Sequence, residues 1–278
     1  MNYAAIDVGS NSVRLLLNGK KYLEITTLGE GLLTTGRLKK EAIDRTLDAI
    51  ETFYHRAEEE GADEVFVFAT QAVRSAVNGR ELVDVAAEKG IHIDVIPKEK
   101  EAELGFLGAY KGGLCATLDI GGASSEIAVG DENGIIYKGS IAVGAVSLKD
   151  VSDDRTEEEN FVREAAKGYG DVPPFDTLIA IGGTPTTYAA IHHDLEVYDP
   201  DIVDGTLLTV SEVRAITDRI ECTPYEERRL IRGLHPKKVP YALTSGVLLY
   251  TLSDVLDKSE LIVSEADNLE GYIIYKTR

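Results

Sequence analysis

The chain has 278 residues, 44% of them hydrophobic, and a formal net charge of -19 at pH 7. This length predicts about two domains, and the negative charge argues against a nonspecific nucleic-acid surface or an anionic-membrane surface. The sequence has no leader-like start, no apolar run of about 18 residues, and no metal-ligand spacing of its two cysteines, so we expect a cytoplasmic protein without nucleic-acid or membrane partners.

The first part of the chain alternates between predicted strands and helices. Ile43, Leu47, Ile50 and Tyr54 recur at helical spacing, which predicts a long amphipathic helix ending near Gly61. The predicted strands are 3–7, 13–17, 64–70 and 91–96, and the predicted helices are 39–61, 71–90 and 99–110.

The same pattern starts again after Gly112 and Gly113. The predicted strands are here 114–119, 126–129, 127–131, 135–141, 177–181 and 261–263, and the predicted helices are 145–168, 184–193, 211–217, 240–256 and 267–277. This alternation is typical of an α/β fold. We predict two domains, 1–113 and 114–278.

A short internal repeat relates the beginnings of these two domains. Residues 7–17 (DVGSNSVRLLL) align with residues 119–129 (DIGGASSEIAV), at an offset of 112 residues. The repeat predicts two equivalent hairpins within a duplicated unit of strands and helices.

The tips of both hairpins are rich in residues that suit an anion. Glycine lets the backbone approach a ligand closely, successive N–H groups can point at one oxyanion, and hydroxyl groups add donors. An aspartate at the start of each tip can hold a cation or a water molecule. The candidate phosphate-binding residues are Gly9, Ser10, Asn11 and Ser12 in the first tip and Gly121, Gly122, Ala123, Ser124 and Ser125 in the second.

Five motifs in chain order resemble one known family. They are residues 7–14 (DVGSNSVR), 69–74 (ATQAVR), 78–79 (NG), 119–126 (DIGGASSE) and 181–184 (IGGT). Together they resemble the exopolyphosphatase and guanosine pentaphosphate phosphatase family, which belongs to the superfamily of actin, sugar kinases and chaperone ATPases. The resemblance implies two ribonuclease-H-like (actin-like ATPase) domains with an active site in the interdomain cleft.

The resemblance also implies a catalytic base. Glu101, within the segment IPKEKEA at 96–102, occupies the position of the family's glutamate, which orients and deprotonates the attacking water. The residues alone leave another interpretation open, in which Glu101 is one solvated carboxylate of an acidic segment.

Further residues carry alternatives of the same kind. Arg74 is predicted to bind phosphate through its planar fork, with a surface ion pair as the alternative. Arg14 is predicted equally to reach the ligand or to pair with a carboxylate. Gly183 and Thr184 open a helix whose N-terminus suits an anion, with an ordinary strand-to-helix turn as the alternative.

The expected cofactor is Mg²⁺. The resemblance gives Glu126 a metal or water contact beside Asp119, and two carboxylates near one phosphate repel it unless a divalent cation lies between them. The candidate metal ligands are Asp7, Asp119 and Glu126.

The chain departs from the family at several positions. Pro97 and Lys98 replace a Ser-Gly pair, and Glu103 and Leu269 stand where the family has arginines. These changes are expected to weaken substrate binding or to narrow specificity.

Two other motifs favour ordinary surface roles. His192, His193 and Asp194 lack the further ligands of a histidine–aspartate phosphohydrolase, and the Lys237-Lys238 pair is typical of a solvated helix end.

These observations predict a phosphohydrolase that releases terminal phosphate from polyphosphate or guanosine pentaphosphate, with a homodimer as a candidate assembly. Two alternatives remain. One is a binding sensor on the same fold, motivated by the departures from the family, and the other is an ATP-dependent kinase of the superfamily.

Overall fold

The computed structural model describes the backbone of residues 1–278 and every side chain except that of Leu33. The chain forms two compact units. Unit 1 comprises Met1–Gly108 and Asn268–Arg278, and unit 2 comprises Ala109–Asp267. The predicted division at 113/114 therefore differs from the structure, because unit 2 begins earlier and the last helix belongs to unit 1.

Unit 1 is built on a five-stranded sheet with helices on both faces. Its elements up to the crossing into unit 2 are β1 (Tyr3–Val8), β2 (Ser12–Leu17), β3 (Lys20–Ile25), α1 (Leu32–Thr35), α2 (Lys40–Glu59), β4 (Glu64–Ala69), α3 (Gln71–Ser75), α4 (Gly79–Glu88), β5 (Ile93–Val95) and α5 (Lys98–Ala109).

Unit 2 is built on a six-stranded sheet. Its elements, followed by the helix that returns to unit 1, are β6 (Cys115–Ile120), β7 (Ser125–Asp131), β8 (Gly134–Ile141), α6 (Ala145–Leu148), α7 (Arg155–Ala166), β9 (Thr177–Ile181), α8 (Gly183–His192), α9 (Pro200–Val203), β10 (Leu207–Thr209), α10 (Val210–Cys222), α11 (Ala242–Val255), β11 (Glu260–Ser264) and α12 (Asn268–Thr277). Short 3₁₀ helices occupy Lys167–Tyr169, Tyr225–Leu230 and Pro236–Tyr241.

The two sheets share one strand order. In unit 1 the order is β3-β2-β1-β4-β5, and in unit 2 β8-β7-β6-β9-β11 repeats it, with β10 added at the β11 edge. In each unit three antiparallel strands are followed by parallel ones. The predicted duplication and the ribonuclease-H-like α/β class are confirmed by this topology.

The long helix of unit 1 follows from its sequence. In α2 the residues predicted to form one face, Ile43, Leu47 and Ile50, are buried in the core. Gly61 follows with a φ of 83°, a left-handed conformation that glycine adopts without strain. This segment confirms the predicted helix and its end.

Helix α12 closes the second face of the unit 1 sheet. The rings of Phe68 and Tyr272 stack with centroids 4.3 Å apart, and Leu104 and Leu269 lie in the same fully buried cluster. A Cβ atom at Gly271 would lie 1.9 Å from the Leu104 carbonyl oxygen, so only glycine allows α12 to approach α5 this closely. This packing explains why the C-terminal residues belong to unit 1.

Two predicted helices in unit 2 are shorter than expected. The segment 145–168 is interrupted between α6 and α7, because Asp154 caps α7 by accepting a hydrogen bond from Glu157 N at 3.0 Å. Helix α11 begins at Ala242 rather than at Pro240, which lies in a 3₁₀ helix instead. No helix among the described residues is long and apolar enough to span a membrane.

Candidate active site

The tip of the first hairpin, residues 9–12, joins β1 to β2 in a closed turn. Gly9 N donates to Ser12 O at 3.0 Å, Gly29 N donates to Ser10 O at 2.7 Å, and Thr27 N donates to Asn11 O at 2.9 Å. The carbonyl groups of Ser10, Asn11 and Ser12 are thus bound within unit 1. The N–H groups of Ser10 and Asn11 donate to no group in the part of the chain that the structure describes, as expected of an anion-binding turn.

The tip of the second hairpin, residues 121–124, repeats this arrangement. Gly121 N donates to Ser124 O at 3.0 Å, and the carbonyls of Gly121 and Gly122 accept from Ala145 N and Val146 N, both at 2.9 Å. Here too the N–H groups of Gly122 and Ala123 donate to no described group. The two tips therefore share the closing hydrogen bond and the two N–H groups without a described acceptor at equivalent positions of the repeat, whereas one of the bonded carbonyls differs.

Ser125 has a different role from the predicted phosphate contact. Its side chain is fully buried, and its hydroxyl donates to Val143 O at 2.7 Å. Its carbonyl accepts a hydrogen bond from Tyr169 Oη at 3.1 Å. We therefore assign Ser125 to the support of the second tip rather than to contact with phosphate.

The aspartates at the start of the two tips face different partners. Asp7 lies opposite Arg14 in the β1–β2 pairing, and Arg14 Nε donates to Asp7 Oδ2 at 3.1 Å. Asp119 lies opposite Glu126 in the β6–β7 pairing. Residues directly opposite in antiparallel strands lie on the same face, where opposite charges attract and like charges repel.

Arg14 and Glu126 occupy equivalent positions of the repeat, so only unit 2 places two carboxylates side by side. Two predictions were made for Arg14, contact with the ligand or an ion pair with a carboxylate. The structure supports the ion pair, which Arg14 forms with Asp7. Asp7 has the guanidinium of Arg14 beside it, and its role as a metal ligand stays a prediction.

The Asp119–Glu126 pair suits a divalent cation. Glu126 is buried and Asp119 is partly buried, so their mutual repulsion is only weakly screened by water. No cluster of three or more potential metal-binding side chains occurs among the described residues. A pair of carboxylates fits Mg²⁺, which keeps several waters and binds substrate phosphates together with one or two protein carboxylates.

The turn after β9 lies beside Asp119. A Cβ atom at Gly182, whose φ is 90°, would lie 2.7 Å from Asp119 Oδ1, so this position requires glycine for both conformation and space. Gly183 begins α8, and Thr184 is buried in its first turn. The predicted helix N-terminus is thus formed next to one of the candidate metal ligands.

Lys238 approaches the same turn. Its Nζ donates to Gly183 O at 3.0 Å and to Thr187 Oγ1 at 2.7 Å. The sequence favoured a solvated helix end for this residue, and nothing in the pattern of the Lys237-Lys238 pair indicated a contact with α8.

Arg74 and Glu101 lie together in unit 1. Arg74 Nη1 donates to Glu101 Oε2 at 3.2 Å and to Ile96 O at 2.8 Å, and Nη2 donates to the side chain of Gln71. Glu101 is 7% exposed, which excludes the interpretation of a solvated surface carboxylate. Among the described residues these three bonds leave two of the five guanidinium N–H groups for a further oxygen.

The Asn78-Gly79 motif supports Arg74. Asn78 is buried and bonds the backbone of Leu38 through both ends of its amide. A Cβ atom at Gly79 would lie 1.9 Å from Val73 O, the carbonyl immediately before Arg74. The motif therefore holds the short helix α3 in place.

The departures from the family pattern are accommodated structurally. Pro97 directly precedes α5, and its carbonyl accepts from Glu101 N at 3.2 Å. Glu103 pairs with Lys100 at 2.9 Å, and Leu269 is fully buried. The helix that carries Glu101 thus forms without the residues that the family has at these positions.

Tyr169 supports the second tip through its hydrogen bond to the Ser125 carbonyl. Its burial, and then the nearby carboxylate of Glu126, raise the pKa of the Tyr169 phenol well above its usual value. The phenol therefore remains a hydrogen-bond donor to Ser125 at any physiological pH. Nothing in the sequence pattern pointed to this tyrosine, which lies in the 3₁₀ helix after α7.

The histidine pair has ordinary partners. His193 Nε2 lies 2.9 Å from Thr206 Oγ1, and His192 Nδ1 lies 3.9 Å from Glu212 Oε1. Both histidines thus contact polar side chains of unit 2.

Comparison with known proteins agrees with this architecture. Residues 14–277 match the Ppx/GppA phosphatase family. The bifunctional 3-dehydroquinate synthase/phosphatase of Fusobacterium nucleatum is 30% identical over 308 residues; the match covers 98% of this chain, which spans only 46% of that protein. Exopolyphosphatase 2 of Mycobacterium tuberculosis is 29% identical, with 96% of both chains covered.

Among solved structures, an exopolyphosphatase-like protein superposes with a TM-score of 0.91 at 25% identity, covering 99% of this chain and 97% of the other. The family match spans nearly the whole chain, and the repeated tips with their carboxylates lie within or beside it. The chain therefore belongs to the Ppx/GppA phosphatase family.

Proposed function

We propose that this phosphatase releases terminal phosphate from inorganic polyphosphate or from guanosine pentaphosphate, with Glu101 as the base and Mg²⁺ as the cofactor. The observation that carries the proposal is the matched pair of tips, in which three carbonyls accept hydrogen bonds within the unit and two successive N–H groups are left for a ligand. Such turns attract oxyanions through several aligned N–H dipoles. The name of the Mycobacterium tuberculosis relative supports polyphosphate as a substrate class.

The Arg74–Glu101 pair supports the assignment of the base. A hydrogen bond from Arg74 fixes one oxygen of the Glu101 carboxylate, so that the other is held in a constant orientation. In the proposed reaction Glu101 orients a water molecule and accepts its proton as the water attacks the terminal phosphorus in line with the leaving oxygen. The two remaining N–H groups of Arg74 would stabilise the phosphate oxygens.

Asp119 and Glu126 are the proposed holders of Mg²⁺. Bound there, the ion would offset the carboxylate repulsion and neutralise charge on the phosphate oxygens. The location of all these residues around one substrate, in the cleft that the family resemblance implies, stays a prediction.

The net charge of -19 favours short substrates over long polymers. A long polyphosphate would lie along a surface that repels it beyond the local anion site. We therefore propose short-chain polyphosphate or a guanosine polyphosphate rather than an extended polymer.

The test is to measure phosphate release from short polyphosphate, guanosine pentaphosphate and ATP with Mg²⁺, for the parent and for Glu101→Gln. We expect release from at least one of the first two substrates and a loss of about 10²–10⁴-fold in kcat for the variant, because a positioned base contributes that much. Substrate binding should change little, since glutamine keeps the shape of the side chain.

Glu99→Gln is the matched control, because Glu99 is exposed in the first turn of the same helix. It should retain parental activity. Phosphate release that is equal in the parent and Glu101→Gln would contradict the assigned base. Tight nucleotide binding without release would indicate a sensor, and ATP turnover that requires an added acceptor would indicate a kinase.

A further inference from the structure

A row of three side chains crosses the unit 2 sheet at the candidate metal site. Asp119 lies opposite Glu126, and Glu126 lies opposite Ser140 on β8. Ser140 Oγ donates to Glu126 Oε1 at 2.8 Å. This bond limits the rotation of the carboxylate about its last torsion angle.

The equivalent row in unit 1 has no such hydroxyl. There Asp7 lies opposite Arg14, and Arg14 lies opposite Leu23. The hydroxyl thus occurs in the row that has two carboxylates and is missing from the row in which an arginine already neutralises the aspartate.

A second support reaches the residue immediately before Glu126. Tyr169 Oη donates to Ser125 O, the carbonyl of the peptide group whose nitrogen belongs to Glu126. Tyr169 is itself confined: Tyr137 Oη donates to its main-chain carbonyl, and its ring packs against Gly139, where a Cβ atom would lie 3.0 Å from Tyr169 Cδ1. The peptide plane before Glu126 is therefore held by a rigid, 5% exposed side chain.

We propose that Ser140 and Tyr169 are positioning residues that fix the Glu126 carboxylate in the row beside Asp119, so that the pair forms a preorganised site for a divalent cation. The inference rests on the proposed function and extends it to groups that touch neither substrate nor metal. Groups that hydrogen-bond a metal-ligating carboxylate typically change metal affinity or activity by about 10–100-fold when they are removed.

The test measures cation binding directly, by the loss of the free Mn²⁺ signal in electron paramagnetic resonance, with the intact protein and no substrate. We expect the parent to bind Mn²⁺, and Ser140→Ala and Tyr169→Phe to bind it about 10-fold more weakly or worse. Ser140→Thr, which restores a hydroxyl, should recover most of the affinity. The Mg²⁺ concentration for half-maximal phosphate release should rise in parallel, with a smaller change in KM for substrate.

Two control variants remove buried hydroxyls elsewhere in unit 2. Tyr188 donates to Ala242 O, and Ser253 donates to Leu249 O, so Tyr188→Phe and Ser253→Ala should lose stability without losing Mn²⁺ affinity. Thermal unfolding of all variants separates lost folding from lost binding.

The outcomes distinguish the inference from the function on which it rests. Parental Mn²⁺ affinity in both Ser140→Ala and Tyr169→Phe would overturn the inference and leave the proposed function standing. A parent that neither binds Mn²⁺ nor releases phosphate would overturn both. Equal weakening in the control variants would also overturn the inference, because the effect would then be one of general stability.

Discussion

At the scale of single residues, one position of the repeat decides the charge beside each hairpin tip. Arg14 and Glu126 are equivalent in sequence and in strand pairing, yet one neutralises the neighbouring aspartate and the other adds to its charge. The duplication thus preserved the backbone of the hairpin and changed the charge beside its tip. The proposal of a cation in unit 2 is based on the two carboxylates that the strand register places opposite each other there.

In α7, outside the set of candidate active-site residues, the carboxyl group of Glu158 is unusual in its burial and its pKa. It is 3% exposed, and its Oε2 has no hydrogen-bond partner among the described residues. Burial, followed by repulsion from Asp153 and Glu221, raises the pKa of Glu158 to about 7. Because the folded protein holds this proton more tightly than the unfolded chain does, the stabilisation is complete at low pH and is lost as pH rises toward 7.

We predict that Glu158→Gln removes this pH dependence. The free energy of unfolding of the parent should fall by up to about 3 kcal/mol between pH 4.5 and pH 7 through this group, from the folded-state shift from 4.5 to about 7. The variant should therefore be more stable than the parent at pH 8 and show no such advantage at pH 4.5. Urea unfolding at both pH values measures the difference.

Glu226→Gln provides the control, because it removes an exposed carboxylate from the same unit. It should reproduce only the small effect of lowering the net negative charge. A parent and Glu158→Gln that lose stability equally over this pH range would contradict the buried ionisation.

At the scale of elements, the short helix α6 shapes the second tip. Its N-terminal N–H groups bind the carbonyls of Gly121 and Gly122, and Thr244 on α11 in turn donates to Ala145 O at 2.7 Å. Gly144, which precedes α6, leaves no room for a side chain, since a Cβ atom there would lie 2.4 Å from Ala123 N.

We predict that Gly144→Ala displaces the second tip. The backbone at Gly144 has a φ of -132°, which alanine adopts freely, so the effect should come from crowding alone. The expected cost is about 1–3 kcal/mol of stability, together with weaker binding of phosphate measured by calorimetry.

Gly168→Ala tests whether any added methyl group in this unit has the same effect. Its Cβ atom would lie 3.3 Å from the end of the Ile141 side chain, which can shift. Phosphate affinity should stay at the parental level there, and an equal loss in both variants would count against a specific role of Gly144.

Several elements were predictable and others were not. The helix α2 and the strands β1, β4 and β9 show clear periodicity or apolar runs between turn residues. β3, β10 and the interruption between α6 and α7 were missed. Strand β3 is a polar edge strand with the sequence KKYLEI, and its identity comes from pairing with β2 rather than from its own pattern. Asp154 is a residue type that commonly caps helices, so the sequence contained a signal for a helix start before Arg155. The prediction of one long helix did not use that signal.

At the scale of the whole molecule, the chain returns to its first unit at the end. The last helix completes the second face of the unit 1 sheet, where Tyr272 and Leu269 are almost fully buried. It also packs on α5, the helix that carries Glu101.

We predict that a chain ending at Asp267 loses the fold of unit 1 and keeps that of unit 2. Removing α12 exposes the apolar face formed by Phe66, Phe68 and Leu104, and burial of each large apolar side chain contributes about 1.5–3 kcal/mol. Limited proteolysis with mass spectrometry should then show rapid cleavage within residues 1–108 and slow cleavage within 109–267.

A milder variant checks the same idea without truncation. Gly271→Ala should crowd the Leu104 carbonyl, destabilise unit 1 and lower kcat through movement of α5, while unit 2 remains resistant to protease. Uniform cleavage of both units in the truncated chain would argue against an independent unit 2.

The sequence by itself determined the class of fold, the duplication, the two glycine- and serine-rich hairpin tips and the family, because these depend on local patterns: periodicity, turn residues and short motifs that each occupy a contiguous stretch. Only the tertiary structure decided which charges meet. Strand register and helix packing bring together residues that are distant in sequence. They pair Arg14 with Asp7, Arg74 with Glu101 and Ser140 with Glu126. They also place Tyr169 beside Ser125 and return the last helix to the first unit. Such contacts leave no periodic trace in the chain, since each partner is constrained by the shape of the folded unit rather than by its neighbours in sequence.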